Sequence, residues 1–181
     1  MRKAWDAIII GGGAAGLFCA GVAGQLGKKV LVLDHASTLG EKIRISGGGR
    51  CNFTNLHSGP ANFLSLNPHF VKSALAKYPA TEFIKLVHSY QIAYHEKHQG
   101  QLFCDDSAMQ IVEMLMAECA RGNVTIRHPV TVKSIVQEAN GWVSSNQCWY
   151  GASSIVSDGN RWIACACYWS KCLFIRYCKT I

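Results

Sequence analysis

Asp6-Ala-Ile-Ile-Ile-Gly-Gly-Gly-Ala-Ala-Gly-Leu17, then a run of small residues, then Lys28-Lys-Val-Leu-Val-Leu-Asp34, is the stretch whose reading decides the fold. The apolar run Ala7 to Ile10 reads as a buried strand that stops at a glycine turn. Gly11, Gly13 and Gly16 have the G-x-G-x-x-G spacing. Gly11 permits the tight turn, Gly13 lets backbone approach a pyrophosphate, and Gly16 lets the next helix pack close to a sheet. The helix start at Ala14 and Ala15 offers unpaired N–H groups and the positive end of a dipole to phosphates. Leu31 to Leu33 form a second buried strand. It ends at Asp34, 23 residues past Gly11, where a carboxylate can accept from a ribose 2′-OH and repel a 2′-phosphate. A bare glycine motif would be a turn without a ligand. The strand before it, the helix after it and the acid beyond make it a dinucleotide-binding unit. The unit does not separate FAD from NAD, because both present an ADP half to it.

Working outward, the 181 residues are 49% hydrophobic and 16% charged, enough for one sizeable core. The formal charge of +7 suits an anionic ligand. The basic residues are scattered and form no run, so composition points away from nucleic acid. There is no signal-peptide pattern, and no stretch reaches the ~18 apolar residues that span a bilayer. A cytoplasmic location follows by default. Cys19, Cys51, Cys104, Cys119 and Cys148 read as reduced thiols, mostly small core residues. Cys165, Cys167, Cys172 and Cys178 crowd the end of the chain.

The spacing predicts a helix from about Ala14 to Gln25. Gly16, Ala20 and Gly24 form a small-residue face that can sit close against strands, and Gly27 stops the helix. A second distinctive stretch follows Asp34: Gly40-Glu-Lys-Ile-Arg-Ile-Ser-Gly-Gly-Gly-Arg-Cys-Asn-Phe-Thr-Asn55. Gly47, Gly48 and Gly49, flanked by Ser46 and Arg50, suit close backbone approach to a ligand. Lys42, Arg44 and Arg50 supply positive charge. Asn52, Thr54 and Asn55 supply hydrogen-bonding groups. The alternative for these residues is a solvated basic loop.

That segment, Gly40-x-Lys42-x-x-x-Ser46-Gly47-Gly48-Gly49-Arg50-Cys51-Asn52-x-Thr54-Asn55, stands directly behind a Gly-Gly-Gly-Ala-Ala-Gly unit. The combination resembles a family of NAD(P)/FAD-dependent oxidoreductases that includes aminoacetone-oxidase-like and bile-acid-reductase-like flavoproteins. The likeness continues through His95-Glu-Lys-His-Gln-Gly-Gln-Leu-Phe103 and covers about residues 4 to 156. It implies FAD, with Gly11, Gly13, Ala14, Ala15, Gly16 and Asp34 on the ADP half. It implies that Lys42, Ser46, Gly47, Gly48, Gly49, Arg50, Cys51 and Asn52 run along the pyrophosphate toward the flavin. By analogy, Arg50 could stabilise an anionic reduced flavin. Cys51 is either a thiol near the flavin or a packed loop residue. A small-molecule substrate in the full-length protein and NAD(P)H as reductant also follow from the resemblance; a metal and a named catalytic residue do not. The fold class expected is α/β. It is the N-terminal part of a Rossmann-like FAD-binding domain, with a small helical insertion and a short antiparallel β meander.

Residues 68 to 90 read as two helices broken at Pro79, with Phe70, Ala74 and Leu75 on an apolar face of the first and Phe83, Ile84 and Val87 on one of the second. Ile92 to His95 and Gln101 to Cys104 read as short strands. His95 and His98 are either an acid/base pair or exposed hairpin residues. Ser107 and Gln110 have capping-box spacing before a helix to about Arg121, whose buried side is Ile111, Met114 and Leu115. Val124 to Arg127, Val130 to Val136, Gly141 to Val143 and Gln147 to Trp149 read as strands, and Ser153 to Val156 as the strand returning to the main sheet.

After Val156 the composition turns abruptly to Cys and Trp. The family resemblance implies an Ala-Thr-Gly-Gly turn here. Back-translation of Gly159 to Trp162, read one nucleotide later, permits that tetrapeptide. The expected division is therefore a partial FAD-binding domain over 1–156 and an out-of-frame tail over 157–181, which the coding DNA decides. A zinc site from Cys165, Cys167, Cys172 and Cys178 has the wrong spacing for the usual C-x2-C pairs. Two other readings stand beside the flavoenzyme: a non-catalytic truncated gene product, and a short ADP- or NAD-binding module. The oligomeric state is not legible in the sequence.

Overall fold

The computed structural model describes residues 4–64, 66–67, 69–138, 141–148 and 151–165. In chain order the elements are β1 (Ala4–Ile10), α1 (Ala14–Gln25), β2 (Val30–Leu33), α2 (Glu41–Ile45), β3 (Asn52–Asn55), α3 (Lys72–Lys77) and α4 (Ala80–Ser89). Then come β4 (Tyr94–Glu96), β5 (Gln101–Cys104), α5 (Met109–Arg121), β6 (Thr125–Arg127), β7 (Val130–Glu138), β8 (Gly141–Cys148) and β9 (Gly151–Cys165). They divide into two units. One is Met1–Glu41 with Leu115–Ile181, the other Lys42–Met114, and the boundary falls inside α5. No helix among the described residues is long and apolar enough to cross a membrane.

The first unit is a sheet of order β6-β2-β1-β9-β8-β7. β1 pairs parallel with β2 from Ala7↔Val30 to Ile10↔Leu33. β2 pairs parallel with β6, and β7, β8 and β9 form an antiparallel meander. All four residues of β2 are buried, as a parallel strand covered on both faces requires. Trp5, Ile8, Leu31, Leu33 and Val130 pack as one core cluster. β1 starts earlier than its apolar run suggests, because Trp5 fills this core and is only 3% exposed. Asp6 interrupts the pattern without breaking the strand: its carboxylate accepts the Lys29 N–H at 2.8 Å. β8 is one continuous strand where two short ones were expected; Trp149 lies outside the described residues. β9 pairs parallel with β1 at Ala4↔Val156 and Trp5↔Ser157, slips register, and resumes at Ala7↔Trp162 to Ile10↔Cys165. The slip lies in the segment where the composition changes. Residues 166–181 lie outside the described residues.

α1 has the expected bounds. Gly27 ends it at φ +79°, with its N–H on Gly24 O at 2.9 Å and the Lys28 N–H on Ala23 O at 3.1 Å. These are the two bonds of a Schellman stop. The helix packs on β1 and β2 as expected, and Gly24 of its small-residue face, with Gly21 beside it, also meets α5 and the turn after it. A Cβ on Gly21 would lie 3.3 Å from the Glu118 backbone of α5, and one on Gly24 would lie 2.5 Å from Gly122 O. The Cys119 thiol donates to Leu17 O at 3.2 Å, and Gln25 Nε2 donates to Glu118 Oε2 at 2.8 Å. Burial pushes the Cys119 thiol up to about 11, so it stays a neutral packing group.

The second unit is built on a three-stranded sheet, β3-β5-β4, antiparallel throughout. Asn52–Asn55, read from sequence as a polar loop, is here a strand. Its partner β5 is apolar and buried from Leu102 to Cys104 and supplies the drive that β3 lacks. α4 lies on β3, with Phe53 6.2 Å from Phe83 and 5.5 Å edge-on from Tyr94. Pro79 sits at the α4 N-cap with extended backbone, which separates α3 from α4 as expected. Val87 is fully buried, whereas α3 buries no residue and Phe70 is 72% exposed. The capping box at α5 is half made: Ser107 Oγ accepts the Met109 N–H at 3.1 Å, and Gln110 Oε1 is buried without a partner.

The closest backbone approach in the first unit is Gly24 to Gly122. A Cβ on Gly122 would come within 2.8 Å of Gln25 N. Gly24→Ala and Gly122→Ala should therefore each lower stability by about 1–3 kcal/mol, read as a drop in urea midpoint. A variant as stable as the parent would show that α1 and the α5 turn are not in this contact.

Candidate functional site

The glycine turn at the C-terminal end of β1 has one pinned glycine and one open one. Gly11 has φ +110°, in the range that favours glycine, and its N–H reaches Leu33 O at 2.8 Å. Gly12, outside the motif positions singled out from sequence, is the sterically demanding residue. Its Cβ would lie 2.4 Å from Leu39 Cδ2 and 3.2 Å from Asp34 Oδ2. The Gly12 N–H donates to Asp34 Oδ2, and its carbonyl accepts the Gly40 N–H at 2.9 Å. The one signal for it in the sequence is that the turn carries a third consecutive glycine, Gly12, outside the motif spacing.

Gly13 is different. It has ordinary extended backbone at φ −85°, and nothing lies within 4 Å of its ideal Cβ position. It caps α1, which has no side-chain cap and no acid in its first turn. The first helical bond runs from Leu17 N to Gly13 O, so the amides of Ala14, Ala15 and Gly16 have no partner within the helix. Ala14 and Ala15 are exposed and Gly16 is buried. An open glycine beside an uncapped helix start is what a pyrophosphate needs: room for close approach, and donors with a positive dipole end.

Asp34 is tied into the protein before any ligand arrives. Besides Gly12, its carboxylate accepts the Ala36 N–H on Oδ1 at 2.7 Å, and its side chain is 11% exposed. Each carboxylate oxygen has a second lone pair, which is the capacity left for a ribose hydroxyl.

In the second unit, Ser46–Gly49 form a tight turn after α2. Gly47 (φ +59°), Gly48 (φ +67°) and Gly49 (φ +86°) are all left-handed, a run that L side chains would not sustain. A Cβ on Gly47 would lie 2.7 Å from Phe103 Cε1, while Gly48 and Gly49 face open space. The turn is anchored by Ser46 Oγ donating to Ile43 O at 2.8 Å, Cys51 N to Ser46 O at 3.1 Å, Ala108 N to Gly49 O at 2.7 Å and Cys104 N to Arg50 O at 2.9 Å. Lys42, Arg50 and Asn52 are exposed. Turned so that Nδ2 faces them, the Asn52 amide donates to Thr54 O at 3.1 Å and Leu102 O at 3.3 Å. Cys51 is 4% exposed, and burial pushes its thiol up while a hydrogen bond with Ser46 pulls it back. The Cys104 thiol is pushed up to about 11, by burial first and then by Cys51.

His95 pairs with Asp105, Nδ1 to Oδ1 at 2.6 Å, and not with His98; its ring stacks on Phe103 at 6.4 Å. Among the described residues no three His, Cys, Asp or Glu side chains gather as a metal site. Cys167, Cys172 and Cys178 lie outside those residues.

Asp34→Ala leaves the buried end of the glycine turn without its acceptor. The ligand-free protein should lose about 1–3 kcal/mol, measured by urea unfolding, and Asp34→Asn should recover part of this. An unchanged midpoint in the alanine variant would mean the Gly12 bond carries no stability.

With this geometry in place, comparison with known proteins gives a consistent result. The model of the HI0933-like protein Rossmann domain matches residues 5–164. The chain is 56% identical over 138 residues to a ribosomal RNA dihydrouridine synthase of Escherichia coli (strain K12), covering 76% of this chain and 34% of that protein. It is 62% identical over 119 residues to the protein of the same name from Haemophilus influenzae, covering 66% of this chain and 30% of that protein. A 3-dehydro-bile acid delta(4,6)-reductase of Clostridium scindens is 29% identical over 138 residues, covering 75% and 34%. The chain thus spans about a third of the length of these curated relatives. Among solved structures, a 3-ketosteroid-delta4-(5alpha)-dehydrogenase from Rhodococcus jostii RHA1 superposes with a TM-score of 0.61 at 14% identity, over 91% of this chain and 48% of that one; this shares the fold alone. The family expected from Gly40–Asn55 is the one found, and the chain belongs to the HI0933-like Rossmann-domain family.

Proposed function

We propose that the chain is the FAD-binding portion of a flavoenzyme that reduces a uridine of ribosomal RNA to dihydrouridine. The observation that carries this is the pair of identities, 56% and 62%, to two proteins of that name, about twice the 29% to the bile-acid reductase. In this reading the small-molecule substrate expected from sequence gives way to RNA, and the charge of +7 has an anionic polymer to meet. A ribosomal substrate would also place the protein in the cytoplasm.

The residues present suit FAD. Bound FAD, once reduced by NAD(P)H as the proposed reductant, would supply the hydride that together with one proton saturates the C5–C6 bond of the uracil ring. The chain's own part is to bind and orient. Gly13 leaves room for the pyrophosphate, and the amides of Ala14, Ala15 and Gly16 donate to it. Asp34 accepts from the ribose while holding the turn through Gly12. Gly11 sets the turn that aims these groups. In the second unit, Lys42 and the segment Ser46–Asn52 are proposed to contribute further cofactor contacts: Gly47, Gly48 and Gly49 through backbone, Arg50 through charge. Cys51, buried and protonated, acts in packing.

Gly13→Val tests the cofactor half cleanly, because the new side chain enters space that nothing in the protein occupies. FAD affinity should fall by at least ~10-fold with the unfolding midpoint of the ligand-free protein unchanged. Equal affinity would remove Gly13 from the site. Tight NAD binding without flavin binding would favour the stand-alone ADP-binding module instead. For the substrate half, deleting the gene should abolish a dihydrouridine in ribosomal RNA, and the full-length gene should restore it. Unchanged dihydrouridine content would sink the RNA assignment.

A further inference from the structure

We propose that the described residues between 56 and 78 of the second unit form a docking surface for unpaired ribosomal RNA, an inference that rests on the substrate proposed above. Its charge is the first reason. Between Glu41 and Glu82 the chain has no Asp or Glu, while Lys42, Arg44, Arg50, Lys72 and Lys77 lie in that interval with His57 and His69. Lys72, Lys77, His57 and His69 are exposed. The acid that ends the interval, Glu82, is paired with Lys85 Nζ at 2.7 Å. Lys72 and Lys77 therefore stand exposed in a stretch that carries no acid of its own, although no basic run marks it in the sequence.

The second reason is apolar surface in the same stretch. Phe70 is 72% exposed, Phe63 45%, Leu64 98% and Leu66 108%. Neither phenylalanine has a ring partner among the described residues. Four exposed large apolar side chains within residues 63–70 offer contact area to a partner. The combination of aromatic faces with cations and no acids suits one occupant best: a single-stranded nucleic acid, whose phosphates meet Lys and whose bases stack on rings.

Local backbone turns set Phe70 beside the start of α3, which carries Lys72 and Lys77. Asn67 Oδ1 accepts the His69 N–H at 3.0 Å. Phe70 N donates to Asn67 O at 3.1 Å and Lys72 N to His69 O at 3.2 Å. These turns lead into α3, whose residues are all outside the core, so a ring and two cations follow one another within a short span. A uridine must leave its stack before its ring can be reduced. A surface that holds the unpaired nucleotides beside it would stabilise that arrangement.

The test measures binding of the chain to a protein-free ribosomal RNA hairpin with an unpaired uridine loop, over a salt series. Two double variants are compared with the parent: Lys72→Gln with Lys77→Gln, and Phe63→Ser with Phe70→Ser. All four side chains are exposed, so folding should match the parent by circular dichroism. The lysine variant should weaken binding and flatten the log–log salt slope by about 1.4, two phosphate contacts at about 0.7 each. The phenylalanine variant should weaken binding roughly 10-fold with the slope unchanged. If the parent binds and both variants match it, the docking surface is wrong and the RNA substrate stands. If the parent binds no RNA, the docking surface is overturned, and the dihydrouridine content after gene deletion decides the substrate reading separately. If the phenylalanine variant instead turns an oligomer into a monomer with RNA affinity unchanged, the surface is a protein contact and the proposal is overturned.

Discussion

Four segments of the first unit converge on one residue, Asp34. Its carboxylate accepts the Gly12 N–H in the β1–α1 turn and the Ala36 N–H in the following loop. Its own N–H donates to Arg127 O at the end of β6, and its carbonyl accepts the Val130 N–H at the start of β7 at 2.7 Å. The C-terminal ends of β1, β2 and β6 are thus tied through a single side chain and its peptide groups. The Gly40 N–H completes the clamp by holding Gly12 from its carbonyl side. A carboxylate with several lone pairs can do this and still accept from a ligand, whereas a neutral side chain would have to choose. Fixing Gly12 from both sides is what leaves Gly13 and the α1 amides at a defined place, and preorganised donors are the ones that bind well.

The βαβ unit was legible because its signals are local and agree with one another. α1 runs from Ala14 to Gln25 because Gly13 permits its start and Gly27 its stop, and both are visible in the sequence. What the sequence could not say was who the neighbours are. The small face of α1 announced close packing on strands, which it has, but not that Gly24, with Gly21 beside it, also meets α5 and its turn. Asn52–Asn55 has no strand pattern of its own; it is a strand because Leu102–Cys104 needs a partner on that side. The Ser107–Gln110 spacing fitted a capping box, yet Ser107 bonded Met109, two residues on, and Gln110 turned inward. Each miss is tertiary context deciding between options that are locally equivalent.

The site divides in the same way. Gly11, Gly13 and Asp34 were readable because a spacing rule carries their physics. The left-handed run at Gly47, Gly48 and Gly49 was readable as flexibility but not as conformation; the Phe103 ring against Gly47 gives it a steric reason. His95 was noticed for its likeness to His98 nearby in sequence. Its partner is Asp105, ten residues on, brought there because β4 and β5 pair antiparallel with His95 opposite Phe103.

In the proposed reading, charge is the feature that a search for basic runs handles least well. A search for basic runs weighs Lys and Arg by their neighbours along the chain, whereas the field near a surface depends on net charge within about a Debye length, ~8–10 Å. A stretch without acids of its own then matters as well as a cluster of bases, and residues 56–78, with Lys72 and Lys77, are such a stretch. The cofactor turn does not draw on this charge. From Gly11 to Leu26 there is no Lys or Arg, so in the proposed reading the pyrophosphate is met by backbone amides and a helix dipole. In the proposed reading two anion-recognition strategies would coexist in one chain. The backbone of the first unit would hold a small anion at a fixed place, and the side chains of the second would attract a long one without specifying its sequence.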